Sequence, residues 1–182
     1  IWNLEFRAAP GEIFFDEHET AFARSVGSGF VVIEPNVPGH KSWTVNKQWD
    51  QRRYQDVAYR LIASGYNVVQ FNSGKAGTRL AGPREIATPS FRHALAALSR
   101  AALYIGPEGG LHHGAAAVGT KAVVIFGGFI PPQIVGYDSH VNLAGSDTFC
   151  GSMKACEHCR SAMEAISTDL VMQSATEILG RP

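Results

Sequence analysis

The feature that most constrains the fold is a repeated alternation between short apolar runs and longer stretches with helical spacing. Five runs have the length and composition of buried strands: Phe30–Ile33, Asn67–Phe71, Leu103–Ile105, Lys121–Phe126 and Val141–Leu143. Between them, apolar residues recur at the spacing of an amphipathic helix. Strands that alternate with helices form a parallel sheet covered on both faces. The sequence therefore predicts an α/β protein built on a doubly wound parallel sheet.

The first 26 residues do not fit this alternation. Residues 14–26 can form one helix whose apolar face carries Phe14, Phe15 and Phe22. We expect residues 1–26 to be a connector helix or the remnant of a preceding domain. Residues 27–182 are then expected to form a single domain, a size that buries a core without disulfides.

Charge and composition exclude several classes of protein. Sixteen Lys and Arg balance sixteen Asp and Glu, and no basic run occurs, which argues against a nucleic-acid partner. Apolar runs such as residues 122–126 are too short to span a bilayer, so no transmembrane segment is expected. The three cysteines fall within ten residues, and their absence elsewhere fits a reducing cytoplasm.

Three loops follow strands at the edge where ligands bind in parallel sheets, namely residues 34–47, 72–83 and 106–113. The third loop joins a strand to a helix through the adjacent glycines Gly109 and Gly110. Glycines allow a ligand to approach the backbone, and the amides of a first helical turn favour an anion. This pattern indicates a phosphate or diphosphate site. The alternative is a tight turn in which the glycines only avoid steric clashes.

Basic side chains near this loop add to the anion-site hypothesis. The first loop carries Lys41 and Lys47, and Trp49 is expected to anchor the helix that follows. A lysine facing a helix N-terminus can balance the charge of a diphosphate, although a solvated lysine is the alternative. His112 and His113 point about 100° apart on a helix, so at most one faces a ligand. We prefer His113, with a histidine that only packs against its neighbours as the alternative.

The cysteines form a second candidate site, with the pattern Cys150-x5-Cys156-x2-Cys159. A CxxC pair can hold a metal, and His140 or His158 could complete four ligands. The second CxxC of a zinc ribbon is missing. Free thiols that close the C-terminal loop are therefore the preferred interpretation.

Several motifs together resemble glycosyltransferase family 9, the heptosyltransferase-like enzymes of bacterial surface polysaccharide synthesis. They are Asn46-Lys47-Gln48-Trp49, Ser90-Phe91-Arg92 with Leu98, the run from Gly106 to Ala117, and Val123–Gly128 followed by Tyr137. The resemblance implies a GT-B architecture of two Rossmann-like domains. Residues 27–182 resemble the C-terminal, nucleotide-sugar-binding half.

The resemblance also implies roles for individual residues. Lys47 is expected to contact donor phosphate, and the amides of Gly109, Gly110 and Leu111 to cradle the diphosphate with His113 nearby. Glu108 takes the place of the family's usual aspartate and is expected to hold sugar hydroxyls or to orient Lys47. The catalytic base is expected in a preceding acceptor-binding domain. The loop after the second strand lacks the family's ribose-binding acid and offers Asn72, Ser73 and Lys75 instead.

The implied function is transfer of a sugar from a nucleoside-diphosphate sugar to a glycan or lipid-linked acceptor in lipopolysaccharide or related surface polysaccharide synthesis. The implied mechanism is inverting and independent of metal, so the nucleotide sugar is a substrate and no cofactor is expected. The expected location is the cytoplasm, peripheral at the inner face of the membrane. The alternatives are a stand-alone nucleotide-binding module without catalysis and an assembly domain organised by metal at the cysteines.

Overall fold

The computed structural model describes residues 9–37, 42, 44–74 and 76–180, and its centre is a six-stranded parallel sheet. The strands are β1 (Val31–Ile33), β2 (Val68–Asn72), β3 (Arg84–Ala87), β4 (Leu103–Pro107), β5 (Ala122–Gly127) and β6 (Val141–Ala144). Their order is β3-β2-β1-β4-β5-β6, and every neighbouring pair is parallel. The doubly wound parallel sheet is therefore confirmed.

Seven α-helices and one 3-10 turn accompany the sheet in the described part of the chain. They are α1 (Glu17–Val26), the 3-10 turn (Thr44–Lys47), α2 (Gln51–Ala63), α3 (Phe91–Leu98), α4 (Gly110–Ala117), α5 (Pro132–Val135), α6 (Glu157–Ala165) and α7 (Thr168–Leu179). Among these helices, none combines the length and the apolar character needed to cross a membrane.

Two apolar cores, one on each face of the sheet, hold the layers together. Alternate residues of a strand point to opposite faces, so Val31 and Ile33 join one core while Val32 joins the other. The first core contains buried residues of α2, α6 and α7, and the second contains buried residues of α3 and α4. Burial on both faces explains why β1, β4 and β5 are apolar throughout.

The N-terminal helix begins later than the predicted residue 14. Asp16 caps α1 in a capping box with Glu19, and this local bonding sets the start at Glu17. Phe15 and Phe22 pack on the second core, whereas Phe14 is exposed, so its predicted place on the apolar face was wrong. Arg92 of α3 pairs with the Glu19 carboxylate at 2.5 Å, which joins α1 to the domain.

Besides the short helix α5 and the 3-10 turn, a strand and a longer helix were absent from the sequence prediction. Strand β3 at the edge of the sheet has one buried residue, Ile86, so it lacks the apolar run that identifies the central strands. Helix α6 begins directly after Cys156, within the segment taken as a cysteine loop. Its buried residues are Cys159, Ala162 and Met163, which give a weak apolar pattern.

Gly145, directly after β6, offers a test of the packing between the sheet and α6. A β-carbon at this position would overlap the carbonyl oxygen of Ala162, and backbone cannot yield as a flexible side chain can. We expect Gly145→Ala to lower the free energy of unfolding by about 3 kcal/mol, at the upper end for overpacking. Chemical denaturation measures it. Gly11→Ala is the control, because a β-carbon there meets no atom within 4 Å; equal stability of the two variants would contradict this packing.

Candidate functional site

A cleft opens at the carboxyl edge of the sheet, between β1 and β4. The strand order reverses its direction here, and ligands of doubly wound sheets bind at such a switch point. The cleft has a volume of about 630 Å³. Its walls come from the ends of β1 and β2, the start of α3 and the β4–α4 turn. The lining residues include Glu34, Asn36, Phe71, Ser73, Thr88, Ser90, Phe91, Glu108, Gly109, Gly110 and Leu111.

The N-terminus of α4 forms one wall of this cleft. Gly109 is the N-cap and provides no side-chain hydrogen bond to the helix. The His113 N–H donates a backbone hydrogen bond to the Gly109 carbonyl, at 3.1 Å. The amides before His113 therefore belong to the first turn, whose N–H groups have no acceptors within a helix. A β-carbon on Gly109 would meet no atom within 4 Å, so the space beside this residue is open. At Gly110 a β-carbon would lie 3.3 Å from the ring of Phe91, which narrows the space there.

Lys47 reaches this wall from the other side and forms an ion pair with Glu108. Both side chains are nearly buried, with 12% and 7% of their area exposed. The anchor predicted for this segment is present, because Trp49 is buried and its indole N–H donates to the Ile166 carbonyl at 2.9 Å. The structure therefore holds the Lys47 ammonium at the edge of the helix N-terminus.

The environment of Glu108 keeps this carboxyl group ionised. Burial by itself raises its pKa, but hydrogen bonding with His113 and Lys47 and the charge of Lys47 outweigh burial and hold the pKa of Glu108 below its usual range. A carboxylate fixed in this way holds the lysine in place. The ion pair brings Glu108 and Lys47 together, and the role of Glu108, holding sugar hydroxyls or orienting Lys47, stays a prediction.

The two adjacent histidines have different environments. The His113 ring is 43% exposed and lies with Nε2 3.6 Å from Glu108 Oε1. Its Nδ1 is 2.9 Å from the hydroxyl of Tyr137, which fixes the orientation of the ring. His112 is fully buried against Phe126, Tyr137 and His140. Of the two, His113 is the one near Glu108, and its contact with a ligand stays a prediction.

His112 is held in its neutral form. Burial, followed by the nearby His113 and His140, lowers the pKa of His112 to about 3. Neither ring nitrogen finds a hydrogen-bond partner among the described residues. Burial likewise lowers the pKa of His140, whose Nε2 lies 3.2 Å from the Thr120 carbonyl.

The buried histidine predicts a loss of stability in acid. The pKa of His112 in the unfolded chain is about 6.5, so between pH 6.5 and 3 the unfolded chain binds more protons than the folded one. Stability therefore falls as the pH is lowered through this window, by about 2 kcal/mol at pH 5 from this residue alone. Urea denaturation at pH 7 and pH 5 measures the difference.

We expect His112→Phe, which keeps an aromatic ring in the same packing, to reduce this difference by about 2 kcal/mol. The matched control is His18→Gln, which removes an exposed histidine of α1 and should keep the full difference. An unchanged difference in His112→Phe would show that His112 accepts a proton in the folded protein.

One acidic residue of the cleft was missed by sequence reasoning. Glu34 follows β1 directly and lines the cleft, where burial raises the pKa of its carboxyl group. Its Oε1 accepts hydrogen bonds from the backbone and side-chain amides of Asn36, at 2.9 and 2.6 Å. Its position at the carboxyl end of a central strand could have identified Glu34 as a cleft residue. The sequence analysis used it only to mark the end of that strand.

Of the other polar residues predicted for this site, only some of those described lie at the cleft. Ser73 lines it, whereas the Asn72 amide bonds to the side chains of Arg79 and Glu85. Lys41 and Lys75 lie outside the described residues.

The three cysteines cluster at the start of α6 and in the segment before it. The sulfurs of Cys150, Cys156 and Cys159 lie within 4.8 Å of one another. Neither histidine considered as a fourth ligand belongs to this group, because His140 packs against His112 and the His158 ring bonds to the Thr148 carbonyl. Glu108, His112 and His113 also bring ligand atoms within 4.8 Å, but the Lys47 ammonium already pairs with Glu108.

The strand order and the helices on both faces of the parallel sheet define a Rossmann-like α/β domain. The same domain type forms each half of a GT-B glycosyltransferase. The family model of glycosyltransferase family 9 (heptosyltransferase) matches residues 2–166. The chain belongs to this family.

Solved structures share the fold at low sequence identity. The ADP-heptose lps heptosyltransferase II of E. coli is 16% identical with a TM-score of 0.65, over 92% of this chain and 53% of its own. A family 9 glycosyl transferase from Veillonella parvula DSM 2008 is 17% identical with a TM-score of 0.68, over 95% and 55%. The iron-containing dodecameric glycosyltransferase TibC of enterotoxigenic E. coli H10407 is 17% identical with a TM-score of 0.66, over 84% and 45%.

The chain thus spans about half the length of the solved structures that it matches. A comparison with curated protein sequences finds no match.

Proposed function

We propose that this chain is the donor-binding domain of a glycosyltransferase and binds a nucleoside-diphosphate sugar. One observation carries the proposal: an open, glycine-capped helix N-terminus faces a cleft at the switch point, with a nearly buried lysine beside it. Family membership supports the activity. The TibC complex with ADP-D-beta-D-heptose supports an ADP-sugar as the donor to test first.

In this proposal the pyrophosphate lies against the first turn of α4. The amides of Gly109, Gly110 and Leu111 donate hydrogen bonds to it, and the Lys47 ammonium balances its charge. The nucleoside lies along the cleft toward Phe91, Thr88 and Glu34. Since Glu34 is the acidic side chain at that end of the cleft, it takes the ribose contact that residues 72–82 lack.

The protein groups at this site act on the departing nucleoside diphosphate. Negative charge grows on its bridging oxygen as the bond to the sugar breaks, and fixed amide dipoles and an ammonium stabilise that charge without reorganising. His113 lies where it can donate a hydrogen bond to a phosphate oxygen, with Tyr137 setting its ring. We propose an inverting transfer without a metal ion on the diphosphate.

The acceptor and the wider assembly belong to the same proposal. The acceptor is a glycan or lipid-linked hydroxyl of bacterial surface polysaccharide, and a preceding domain supplies the acceptor site and the catalytic base. Residues 27–182 form the donor domain, and residues 1–26 connect it to that preceding domain. The proposed location of the protein is the cytoplasm, at the inner face of the membrane.

Calorimetric titration with ADP and GDP, each with and without EDTA, tests the proposal. We expect one nucleoside diphosphate to bind at the micromolar level, equally well after chelation. Absence of binding to either would contradict the donor site, and a strict Mg²⁺ requirement would contradict the metal-free mechanism. Binding without sugar transfer to any acceptor fraction would favour the non-catalytic module.

A further inference from the structure

Tyr137 and His113 form a side-chain pair between the α5–β6 loop and α4. The Tyr137 hydroxyl lies 2.9 Å from Nδ1 of His113, and the two rings meet at 84°. A hydroxyl can donate or accept, so this distance fits either neutral tautomer of the histidine ring. The neighbours of the pair therefore decide which ring nitrogen carries the proton.

Glu108 faces the other nitrogen of the same ring. Its Oε1 lies 3.6 Å from Nε2 of His113, and its other oxygen pairs with the Lys47 ammonium. An ionised carboxylate only accepts hydrogen bonds, and its negative charge attracts the side of an imidazole ring that bears the proton. Because Glu108 keeps its charge at this site, it favours the tautomer with the proton on Nε2.

The Tyr137 hydroxyl supplies the hydrogen bond that the remaining nitrogen needs. With the proton on Nε2, the Nδ1 atom carries a lone pair and can only accept. Burial raises the pKa of Tyr137, so its hydroxyl keeps its proton near neutral pH and can donate. The hydrogen bond therefore runs from the Tyr137 O–H to Nδ1. The N–H of the ring is left on the side of Glu108, which lines the cleft.

The position of Tyr137 is fixed by residues outside the cleft lining. Its backbone carbonyl accepts hydrogen bonds from the His140 N–H at 3.0 Å and from the Asn142 side-chain amide at 3.1 Å. Its ring packs against the buried rings of His112 and His140, with centroids 5.2 and 5.5 Å away. These contacts hold the hydroxyl in place, so it can set the orientation of the partly exposed His113 ring.

We propose that Tyr137 is a positioning residue: its hydroxyl donates to Nδ1 of His113 and holds the ring in the tautomer whose Nε2–H faces the donor diphosphate. The second half of this inference rests on the proposed function, which places the diphosphate against the first turn of α4. In the other tautomer, Nε2 presents a lone pair, which repels a phosphate oxygen and cannot donate to it. Tyr137 touches neither nucleotide nor sugar and acts through His113.

Nitrogen NMR tests the tautomer without any nucleotide and without any variant of Tyr137. Spectra of protein with isotope-labelled histidine are recorded at about pH 8.5, above the ordinary pKa of histidine. The His113 ring is assigned by the loss of its signals in His113→Ala. We expect Nε2 to carry the proton and Nδ1 to show the resonance of a nitrogen that accepts a hydrogen bond. A proton on Nδ1 in the wild-type protein would overturn the proposal.

Removal of the hydroxyl tests the part played by Tyr137. Tyr137→Phe keeps the ring and its packing but has no donor, so the Nδ1 resonance should move to that of a nitrogen without a hydrogen bond. Tyr59→Phe is the matched control, because it makes the same change at an exposed tyrosine of α2 and should leave the His113 signals unchanged. Thermal unfolding checks that both variants are folded. An unmoved Nδ1 resonance in folded Tyr137→Phe would contradict the hydrogen bond.

Calorimetric titration with ADP tests the effect on the donor site. We expect the dissociation constant of ADP to rise about tenfold in Tyr137→Phe, as for the loss of one hydrogen bond to a charged group, and to stay the same in Tyr59→Phe. A double-mutant cycle separates positioning from a direct contact of Tyr137. In a His113→Ala background, Tyr137→Phe should cause no further loss, because the hydroxyl then has no ring to orient.

The outcomes distinguish this inference from the proposed function. Wild-type ADP affinity in Tyr137→Phe, or an equal loss in the His113→Ala background, overturns the positioning role and leaves the donor site in place. If the wild-type chain binds no nucleoside diphosphate, the proposed function fails, and so does the claim that Nε2–H faces a diphosphate. The nitrogen spectrum still decides the tautomer and the hydrogen bond from Tyr137 in that case.

Discussion

Lys47→Ala is expected to weaken ADP binding by about 10- to 150-fold, the equivalent of about 1.5–3 kcal/mol for a charge-assisted contact. The physical reason is the loss of the ammonium group that balances the diphosphate beside α4. Calorimetric titration with ADP measures the change. Lys121→Ala is the matched control, because Lys121 is an exposed lysine before β5, at the opposite edge of the sheet.

The ion pair with Glu108 complicates this variant, because removing Lys47 leaves a nearly buried carboxylate without its partner. The double variant Lys47→Ala/Glu108→Gln removes that charge as well. If Lys47 contacts the diphosphate, ADP binding stays weak in the double variant. Recovery of wild-type affinity there would show that Lys47 only neutralises Glu108, and would contradict its place in the donor site.

Gly109→Asp is expected to give opposite effects on binding and stability. Gly109 has an extended φ of 164° and open space at its β-carbon, so the fold accepts a larger residue. Aspartate is a favoured N-cap, so the free energy of unfolding should stay the same or rise by a few tenths of a kcal/mol. Its carboxylate would occupy the first-turn amides and repel the diphosphate, and ADP affinity should fall about 100-fold or more.

Two measurements on the same samples test this pair of effects: calorimetry with ADP and denaturation by urea. Gly11→Asp adds the same charge at an exposed site where a β-carbon meets no atom within 4 Å, and it should bind ADP normally. Gly109→Asn caps the helix without adding a charge. It therefore separates two effects of aspartate: hydrogen bonding to the first-turn amides, and charge repulsion of the diphosphate. Wild-type affinity in Gly109→Asp would place the diphosphate elsewhere in the cleft.

Much of the candidate site follows from local sequence. Gly109 and Gly110 between a strand and a helix predict open amides, because their position in the chain fixes which edge of the sheet they reach. The 100° step between neighbouring helical residues predicts that His112 and His113 diverge. Trp49 as an anchor follows from its size and apolar surface. Each of these inferences needs only the residues within one or two turns of chain.

Other parts of the site depend on contacts between distant segments. Lys47 and Glu108 are 61 residues apart, and no local pattern states that they pair. Asn46 is an ordinary polar residue in the sequence, and its three bonds to residues 152–156 arise from the way α6 packs beside the 3-10 turn. The burial of His112 depends on Tyr137 and His140, which lie in the segment that follows β5 in the chain.

By itself, the sequence determined the α/β class, the order of the central strands along the chain and the edge of the sheet that carries the candidate site. These depend on hydrophobic period and turn chemistry, which act over a few residues. Only the tertiary structure decided that β3 pairs at the edge, that Glu34 faces the cleft and that Asn46 bonds to residues 152–156. Those features come from packing between segments far apart in the chain, where position in space and not residue type decides the partner.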